Sequence, residues 1–394
     1  MRILIAADKF KGSLTQREAC DAIAAGIRRV KPDADIDLCP LADGGEGTVD
    51  AIVTATGGKT VSFEVCGPLP GMRVKAPIGL IDSGRTAIVE LAAASGLLLL
   101  EPDQRDPTRT TTFGTGELLK YAADAGAKKI ILGIGGSATC DAGVGIAQAW
   151  GGAVKMLNGK VYSPSDRKLS GHDLGRILAI TRFQPSFSNY TGQHKALPGA
   201  RSAILDTRGV EFVVACDVGN PLYGPDGAAH VFAPQKGATP EQVERLDADL
   251  RKMIDRLQLH EIANAPGAGA AGGAGFGMMA FFGATMVSGA ELIMDLTHLR
   301  SRIETADLVI TGEGKLDAQT LAGKAPAAVA RACKKASKRC IAIGGTIGHG
   351  AEGLLSEGVT SYFGIVGGPV TLADAMRDAS RLLTDTTERI LRLL

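Results

Sequence analysis

Three apolar, strand-like runs in this chain each end in a short loop that combines glycine with acidic or hydroxyl residues. The runs cover residues 3–7, 130–134 and 308–311, and the loops read DKFKGS at 8–13, GGSATCDAG at 135–143 and GEGKLD at 312–317. In an open α/β sheet, ligands bind at the carboxyl ends of the strands. Glycine lets backbone N–H groups approach an anion there, and a following helix adds partial positive charge. A carboxylate in the same loop can hold Mg²⁺ or accept a proton. The pattern therefore predicts a phosphate-handling enzyme.

The order of strand-like and helix-like segments predicts an α/β fold with two domains. A β-α-β-α rhythm covers residues 2–57 and resumes from 306, whereas short β-rich runs between 60 and 91 are separated by Pro and Gly. Such runs leave no room for crossover helices and indicate hairpins in a mixed sheet. We therefore predict a discontinuous Rossmann-like parallel-sheet domain and an inserted α/β domain with a mixed sheet. The expected boundaries are 1–58 plus 290–394 (with part of 110–180) for the first domain, 59–109 plus about 203–289 for the second, and 182–202 as an irregular insertion.

The composition excludes several classes of protein. The 394 residues carry a formal net charge of +1 with both signs interspersed, which gives no electrostatic case for a nucleic-acid or membrane partner. The seven cysteines are odd in number and never spaced C-x-x-C, so reduced thiols in the cytoplasm fit better than a disulfide framework or a zinc site. Residues 262–290 are uncharged, but Pro266 and eight glycines interrupt them, so a buried or ligand-facing loop region is favoured over a membrane span. We expect a soluble cytoplasmic protein, monomer or homodimer, whose partners are small molecules.

Two loops near the amino terminus carry candidate binding residues. In loop 8–13, Lys9 and Lys11 are compact cations that suit a phosphate or a substrate carboxylate. An equally open interpretation is a solvated loop in which Ser13 or Thr15 caps the next helix. The sequence DGGEG at 43–47 places two carboxylates three residues apart at a helix start. They could simply complement the helix dipole, but three glycines at the same place favour a binding site.

Loop 135–143 has the strongest anion-binding pattern, with two glycines and two hydroxyl residues before a helix. The alternative is a tight turn with hydroxyl caps. Further along, CDVGNP at 216–221 places Asp217 at the end of a strand predicted to be buried, where a charge is costly without a partner. An Asx turn before Pro221 is enough to explain Asn220. Glu313 and Asp317 lie four residues apart and form a candidate metal-binding or base pair.

The glycine-rich run at 267–272 matches G-x-G-x-x-G, but it follows Asn-Ala-Pro and not a strand. The dinucleotide-binding fingerprint therefore lacks its required context. We favour a backbone wall of a nucleotide or substrate cleft, with a flexible hinge as the alternative. The phosphate-binding sequence G-x-x-x-x-G-K-[ST] does not occur in the chain.

At these loops the chain resembles the bacterial type I glycerate kinase family. The matching segments are DKFKGS at 8–13, PLADGGEGT at 40–48, TTTFGTGELL at 110–119, GGSATCDAG at 135–143, ACDVGNPLYGPDGAAHVFAPQKGA at 215–238, GAGAAGGAGFG at 267–277 and ITGEGKLDAQTLAGKAP at 310–326. The resemblance implies ATP- and Mg²⁺-dependent phosphorylation of D-glycerate, usually at the 2-hydroxyl. The chain departs from the family pattern at Cys140, where relatives usually have Asn, and at Ala142, where they usually have Gly.

The residue patterns and the resemblance together assign expected roles to the loop residues. The catalytic set is Lys9, Lys11 and Asp217, with Asp217 as the base for the attacking hydroxyl. The ATP-binding set is Gly135, Gly136, Ser137, Ala138, Thr139 and Ser13. The glycerate-binding set is Asp8, Asp43, Gly44, Gly45 and Asn220, and the Mg²⁺ set is Glu46, Glu313 and Asp317.

Other functions stay open at this point. A kinase that forms 3-phosphoglycerate, or one that phosphorylates another small hydroxy acid, fits the same loops. A nicotinamide-dependent dehydrogenase would require a strand-linked G-x-G-x-x-G with an acidic residue about twenty positions later. A nucleotide-binding regulator without activity would have little need for so many carboxylate-bearing loops.

Overall fold

The protein is described here from a computed structural model that covers residues 1–42, 44–182, 205–321 and 325–394. The strands in these ranges are β1 (Arg2–Ala7), β2 (Asp35–Leu38), β3 (Lys59–Cys66), β4 (Arg73–Ile81), β5 (Thr86–Glu90), β6 (Lys129–Gly133), β7 (Gly152–Met156), β8 (Val161–Tyr162), β9 (Ile177–Arg182), β10 (Glu211–Ala215), β11 (Thr285–Val287), β12 (Leu308–Leu316), β13 (Cys340–Ile347) and β14 (Ser361–Gly364).

The α-helices follow the same numbering along the chain. They are α1 (Gln16–Val30), α2 (Thr48–Thr56), α3 (Leu91–Ser95), α4 (Phe113–Asp124), α5 (Val144–Trp150), α6 (Ala228–Phe232), α7 (Pro240–Leu257), α8 (His260–Ala263), α9 (Ala270–Phe282), α10 (Gly289–Leu296), α11 (Leu299–Thr305), α12 (Ala318–Leu321), α13 (Ala325–Lys335), α14 (Gly353–Glu357), α15 (Leu372–Arg377) and α16 (Ala379–Leu391).

The chain divides into two compact units. Unit 1 comprises Met1–Asp43, Gly47–Gly58 and Ser288–Leu394, and unit 2 comprises Gly44–Glu46 and Lys59–Val287. The predicted fold class, α/β with one parallel sheet and one mixed sheet, is confirmed. The domain prediction placed part of 110–180 with the first domain. Here that stretch belongs to unit 2, because its strand β6 pairs with β5 and β10.

Unit 1 contains a five-stranded parallel sheet in the order β14-β13-β12-β1-β2. Its strands are rich in Ile, Leu, Val and Ala because both faces are covered. One face, which includes Ile3 and Ile5, forms a continuous core with α1 and α16. The chain order reverses at β1, which pairs with β2 on one side and with β12 on the other. The carboxyl ends at such a reversal are the usual ligand-binding place in open α/β sheets.

Helix α1 begins where the sequence predicts it. The Thr15 hydroxyl accepts the Glu18 N–H, and the Glu18 carboxylate accepts the Thr15 N–H, which is the capping-box arrangement. Ser13 is therefore not the cap of this helix. Its hydroxyl donates instead to the Phe10 carbonyl at 2.9 Å and closes the preceding turn.

Unit 2 contains a six-stranded sheet in the order β11-β10-β6-β5-β4-β3. Strands β11, β10, β6 and β5 are parallel, whereas β4 pairs antiparallel with both β5 and β3. The hairpins predicted between residues 60 and 91 are thus confirmed, since the Pro and Gly breaks there allow only short connections. A small antiparallel sheet in the order β8-β7-β9 completes the described strands of this unit.

Helix α7 packs on the core of unit 2 through the apolar face that its periodicity predicts. Val243, Leu246, Leu250, Met253 and Ile254 are all buried in that core. Residues 262–290, predicted as a loop region, instead contain α9 and β11. Four of their glycines lie within α9, and two of these, Gly272 and Gly273, are left-handed. None of the helices in the described part of the chain is long and apolar enough to cross a membrane.

Near the carboxyl terminus the chain forms two helices, α15 and α16, which are separated at Asp378. One strand boundary differs from the sequence prediction. Strand β12 continues through Leu316, although its second half was predicted as a loop. The reason is its pairing with β13, which extends from Val309 to Leu316 and overrides the glycine-rich local sequence.

The end of α7 gives a stability prediction. Gln258 is exposed and left-handed, with φ of 56°, and its N–H donates to the Ile254 carbonyl at 2.8 Å. We expect Gln258→Gly to raise the free energy of unfolding by about 0.5–1 kcal/mol, because glycine adopts this conformation without a Cβ clash. Urea unfolding followed by circular dichroism measures the change. The control is Gln258→Ala, which loses the same side chain but keeps Cβ; equal stability of the two variants would contradict the prediction.

Candidate functional site

The carboxyl ends of β5, β6 and β10 form one edge of the unit 2 sheet, and loop 135–143 lies there. Its start is held by backbone hydrogen bonds: Gly135 N–H donates to the Gly44 carbonyl at 3.2 Å, and Ala138 N–H donates to the Ser95 carbonyl at 2.9 Å. Two of the five predicted phosphate-binding N–H groups are thus used inside the fold. The N–H groups of Gly136, Ser137 and Thr139 donate to no other described residue, and of these three residues only Gly136, with φ of 73°, is exposed. The part of the loop that remains available to bind an anion is therefore the turn at 136–137.

Residues 44–46 belong to this edge because glycine allows backbone to pack on backbone. A Cβ on Gly133 would clash with the Gly44 carbonyl, and one on Gly135 would lie 2.7 Å from the Gly45 Cα. The Glu46 carboxylate sits where a Cβ of Gly136 would be. The structure thus brings Gly44, Gly45 and Glu46 to loop 135–143, as a shared binding site requires. Asp43, assigned to the same site from sequence, lies outside the described residues, as do residues 183–204 of the predicted insertion.

A buried carboxylate organises the second half of the loop. Asp141 is fully buried and accepts hydrogen bonds from the Thr112 N–H and hydroxyl at 2.7 and 2.9 Å, and from the N–H groups of Gly143 and Gly145 at 3.1 and 3.2 Å. Burial raises the pKa of this carboxyl, while these donors counteract the shift. Asp141 therefore joins the starts of α4 and α5 to the loop.

A buried lysine, which the sequence analysis missed, lies beneath the same loop. The Lys236 ammonium donates to the Ser137 hydroxyl and to the Thr139 carbonyl, each at 2.7 Å, and the residue is 3% exposed. Burial lowers the pKa of Lys236 to about 8, and the nearby Cys140 and Asp141 act in the opposite direction. The available signal was a lone cation in the otherwise nearly uncharged stretch 227–239. Nothing in the local sequence shows that it reaches residues 137 and 139.

The residues after β10 are placed at the predicted edge but in a different environment. Asp217 is exposed, so the argument that a buried strand end makes its charge costly is wrong. Asn220 does not make the expected Asx turn, because its side-chain amide donates to the Asp226 carbonyl at 2.8 Å. Both residues follow β10, which pairs with β6 just before loop 135–143.

In unit 1, loop 8–13 and the carboxyl half of β12 lie together at the chain reversal. Asp8 N–H donates to the Gly312 carbonyl at 2.9 Å, and a Cβ on Gly314 would lie 3.0 Å from the Lys11 backbone nitrogen. Asp8 is buried and its carboxylate accepts the Lys9 N–H at 2.6 Å, whereas Lys11 is exposed. The loop therefore combines a buried carboxylate with an accessible cation.

Glu313 in β12 and Asp317 just after it both hydrogen-bond to Thr320. The Thr320 hydroxyl donates to the Glu313 carboxylate at 2.6 Å and accepts the Asp317 N–H at 3.1 Å. Asp317 also pairs with the Lys315 ammonium at 2.8 Å. These oxygen ligands are chemically suited to Mg²⁺. Glu46, the third residue of the predicted metal set, belongs to unit 2, and no three acidic, histidine or cysteine side chains of the described ranges are grouped to hold a metal ion.

Comparison with known proteins identifies the family. The sequence model of the "Glycerate kinase family" matches residues 3–394. The chain is 42% identical to the glycerate kinase of Haemophilus influenzae, covering 100% of this chain and 99% of that one. It is 40% identical to the glycerate 2-kinase of Escherichia coli, over 96% and 94% of the two chains. A crystal structure described as a glycerate kinase 2 from Salmonella typhimurium LT2 matches with a TM-score of 0.80 and 42% identity, over 100% and 98% of the two chains.

The chain belongs to the glycerate kinase family. The resemblance stated from the sequence is therefore confirmed, and the protein is an enzyme of this kind. The match covers residues 3–394, so the candidate residues of unit 1 and those of unit 2 all lie in the part of the chain that matches the family.

The two positions at which this glycerate kinase departs from the family pattern have structural roles. Cys140 is completely buried in the unit 2 core, and burial raises the pKa of its thiol to about 11, so the thiol is neutral. Ala142 is left-handed, with φ of 54°, and its N–H donates to the Gly272 carbonyl at 3.0 Å. Neither side chain is accessible to a ligand of the loop.

The glycine-rich run 267–277 packs against loop 135–143. A Cβ on Gly272 would clash with the Thr139 carbonyl and lie 2.7 Å from the Cys140 Cα, and one on Gly277 would lie 2.6 Å from the Ala142 carbonyl. The glycines are thus needed for close contact between backbones. In the described structure these glycines pack against the backbone of loop 135–143. This differs from the sequence prediction that they form a wall facing a ligand.

This packing predicts a specific sensitivity at Gly272. Gly272→Ala should lower the free energy of unfolding by about 3 kcal/mol or more, because left-handed strain and a backbone clash add together. Gly209 has a similar φ of 72°, against 67° for Gly272, but a Cβ there meets nothing within 4 Å. Gly209→Ala should therefore cost only the strain, about 1–2 kcal/mol. Thermal and urea unfolding of both variants measure the difference, and equal losses would show that the contact with Thr139 is not tight.

Proposed function

We propose that this protein transfers a phosphoryl group from ATP to the 2-hydroxyl of D-glycerate, giving 2-phospho-D-glycerate and ADP. The observation that carries the proposal is the turn at 136–137, where the N–H groups of the exposed Gly136 and the adjacent Ser137 donate to no other described residue and the buried Lys236 ammonium bonds to Ser137. Oriented N–H groups backed by positive charge suit a phosphate group. Membership of a kinase family supports ATP as the donor.

The donor site in this proposal is loop 135–139. Gly136 and Ser137 supply N–H groups to phosphate oxygens, while Gly135 and Ala138 fix the loop through their bonds to Gly44 and Ser95. Thr139 contributes through its backbone, since its carbonyl accepts from Lys236. Ser13 is a weaker candidate for ATP, because its hydroxyl proton is already donated to the Phe10 carbonyl.

The cations of loop 8–13 would neutralise charge that the substrates bring. Lys11 is exposed and Lys9 is half-buried, so either ammonium can meet the transferring phosphoryl group or the glycerate carboxylate. Asp8, Asp43, Gly44, Gly45 and Asn220 remain our proposed contacts to glycerate. Phosphoryl transfer is catalysed mainly by such positioning and charge neutralisation.

Mg²⁺ is the metal that the donor chemistry of the site fits. Glu313 and Asp317 would hold it, with Glu46 as the candidate of unit 2, and when bound the ion would neutralise phosphate charge. The chain's own contribution is to orient these carboxylates, by hydrogen bonds from Thr320 to Glu313 and from the Gln319 N–H to Asp317 at 2.9 Å.

A cytoplasmic location is also part of the proposal. All seven cysteines are free thiols, and five of them are buried. Reduced thiols are the normal state in the cytosol.

The function is tested by incubating the pure protein with ATP, Mg²⁺ and D-glycerate and following ADP release. We expect turnover whose product enolase consumes directly, since enolase acts on the 2-phosphate. Turnover that needs a mutase before enolase would mean that the 3-phosphate forms and that the hydroxyl assignment is wrong. The absence of turnover with ATP still bound would point to another hydroxy acid or to a regulator.

The proposed base predicts an effect on turnover. Asp217→Asn keeps the shape of the side chain but cannot accept the hydroxyl proton, so kcat should fall by roughly 10²- to 10⁴-fold with little change in KM for glycerate. Asp226→Asn is the matched control, because Asp226 is an exposed aspartate of the same segment. Steady-state kinetics of both variants give the comparison. An Asp217 variant with nearly normal kcat would remove this residue from the mechanism.

A further inference from the structure

The contact between Lys236 and Ser137 joins a buried charge to the exposed turn at 136–137. Lys236 follows α6 in the chain, and its ammonium reaches loop 135–143 from inside the fold. Its two hydrogen bonds, at 2.7 Å each, end on Ser137 Oγ and on the Thr139 carbonyl. It makes no direct ion pair with a carboxylate of the described residues, although it lies in the electrostatic field of Asp141.

This geometry determines what the Ser137 hydroxyl can do. An ammonium can only donate, so Ser137 Oγ must be the acceptor of the bond from Lys236. The hydroxyl proton of Ser137 then has to point toward a different acceptor, and no described residue provides one. The preceding residue, Gly136, is exposed, so an anion at this turn can supply the missing acceptor.

The need to hold loop 135–143 in place does not by itself explain a buried lysine at position 236. Loop 135–143 is already held by the bonds of Gly135 and Ala138 to backbone carbonyls and by the four donors to Asp141. An ammonium that is 3% exposed costs desolvation energy that an apolar side chain at the same place would not. A buried charge that persists where packing alone would suffice indicates a role in binding.

We propose that Lys236 is a positioning residue for the phosphoryl donor, which holds Ser137 Oγ as an acceptor and so directs the hydroxyl proton of Ser137 to a phosphate oxygen. The inference rests on the proposed function, since it assumes that a phosphate binds at the turn. The ammonium acts through Ser137 and does not touch the ligand. Its charge strengthens the hydrogen bond that the serine donates, because successive hydrogen bonds polarise one another.

The protonation of Lys236 supplies an independent readout. Its pKa of about 8 means that the ammonium is lost as the pH rises through that value. The titratable groups that face it are Cys140 and Asp141, and Asp247 acts on Cys140 from α7. The Cys140 thiol, with a pKa of about 11, stays neutral over this range. KM for ATP should therefore increase between pH 7 and pH 9 in the wild-type enzyme.

The variants that test the inference are Lys236→Met, Lys236→Arg, Ser137→Ala and the double variant Lys236→Met with Ser137→Ala. We expect Lys236→Met to raise KM for ATP by about ten- to a hundred-fold, the loss of one charge-assisted hydrogen bond, with KM for glycerate little changed. Lys236→Arg should recover part of the affinity for ATP, and its KM for ATP should no longer increase between pH 7 and pH 9. KM for ATP of the double variant should be no higher than that of the more strongly affected single variant, because Lys236 acts through Ser137.

Two results would overturn the inference. One is that the effects of the two substitutions on KM for ATP add up in the double variant. The other is an equal rise of KM for ATP and KM for glycerate together with a lowered melting temperature, because a structural role would produce both. If Lys236→Met does not fold, Ser137→Ala decides alone, because it must raise KM for ATP and abolish the pH dependence. Calorimetric titration of ADP with Mg²⁺ separates this question from glycerate turnover. A wild-type protein that binds ADP without phosphorylating glycerate contradicts the proposed function, whereas equal ADP affinity of wild type and Lys236→Met contradicts the role of Lys236.

Discussion

The buried carboxylate of Asp141 is the interaction on which the candidate site depends. A full negative charge in the core is tolerated only when several donors surround it, and here they come from Thr112, Gly143 and Gly145. These donors lie just before α4 and at the start of α5. The same carboxylate partly compensates the buried ammonium of Lys236. Loop, helices and lysine therefore form one electrostatic unit, in which a change at any member affects the geometry of the turn at 136–137.

Glycine provides the second constraint, because the loop lies between two other backbone segments. Residues 44–45 approach it at Gly133 and Gly135, and the run 267–277 approaches it at Thr139 and Ala142. Side chains on these glycines would separate the segments. Much of the glycine content of this part of the chain thus serves close packing, whereas Gly136 is exposed and available to a ligand.

Local patterns allowed the fold class to be predicted, while the contacts of the site depend on residues far apart in the chain. The hairpins of β3 to β5, the periodicity of α7 and the capping box of Thr15 are all short-range signals, and the structure contains each of them. Lys236 was missed because its partner Ser137 lies 99 residues earlier. Strand β12 was cut short because its glycine-rich half looks like a loop until β13 pairs with it. The exposure of Asp217 likewise depends on neighbours that a strand-end pattern does not show.

The position of β1 in its sheet has a consequence for how the chain folds during synthesis. β1 lies between β2 and β12, so its second neighbour leaves the ribosome some three hundred residues later, as the pairing of Ile3 with Leu308 shows. Unit 2, whose main stretch is Lys59–Val287, is complete before that neighbour exists. Domains usually fold as they emerge, and contacts that are distant in sequence form slowly. The nascent chain must therefore keep an apolar strand unpaired on one side while unit 2 takes shape, which leaves β1 open to aggregation or to chaperone binding during that interval.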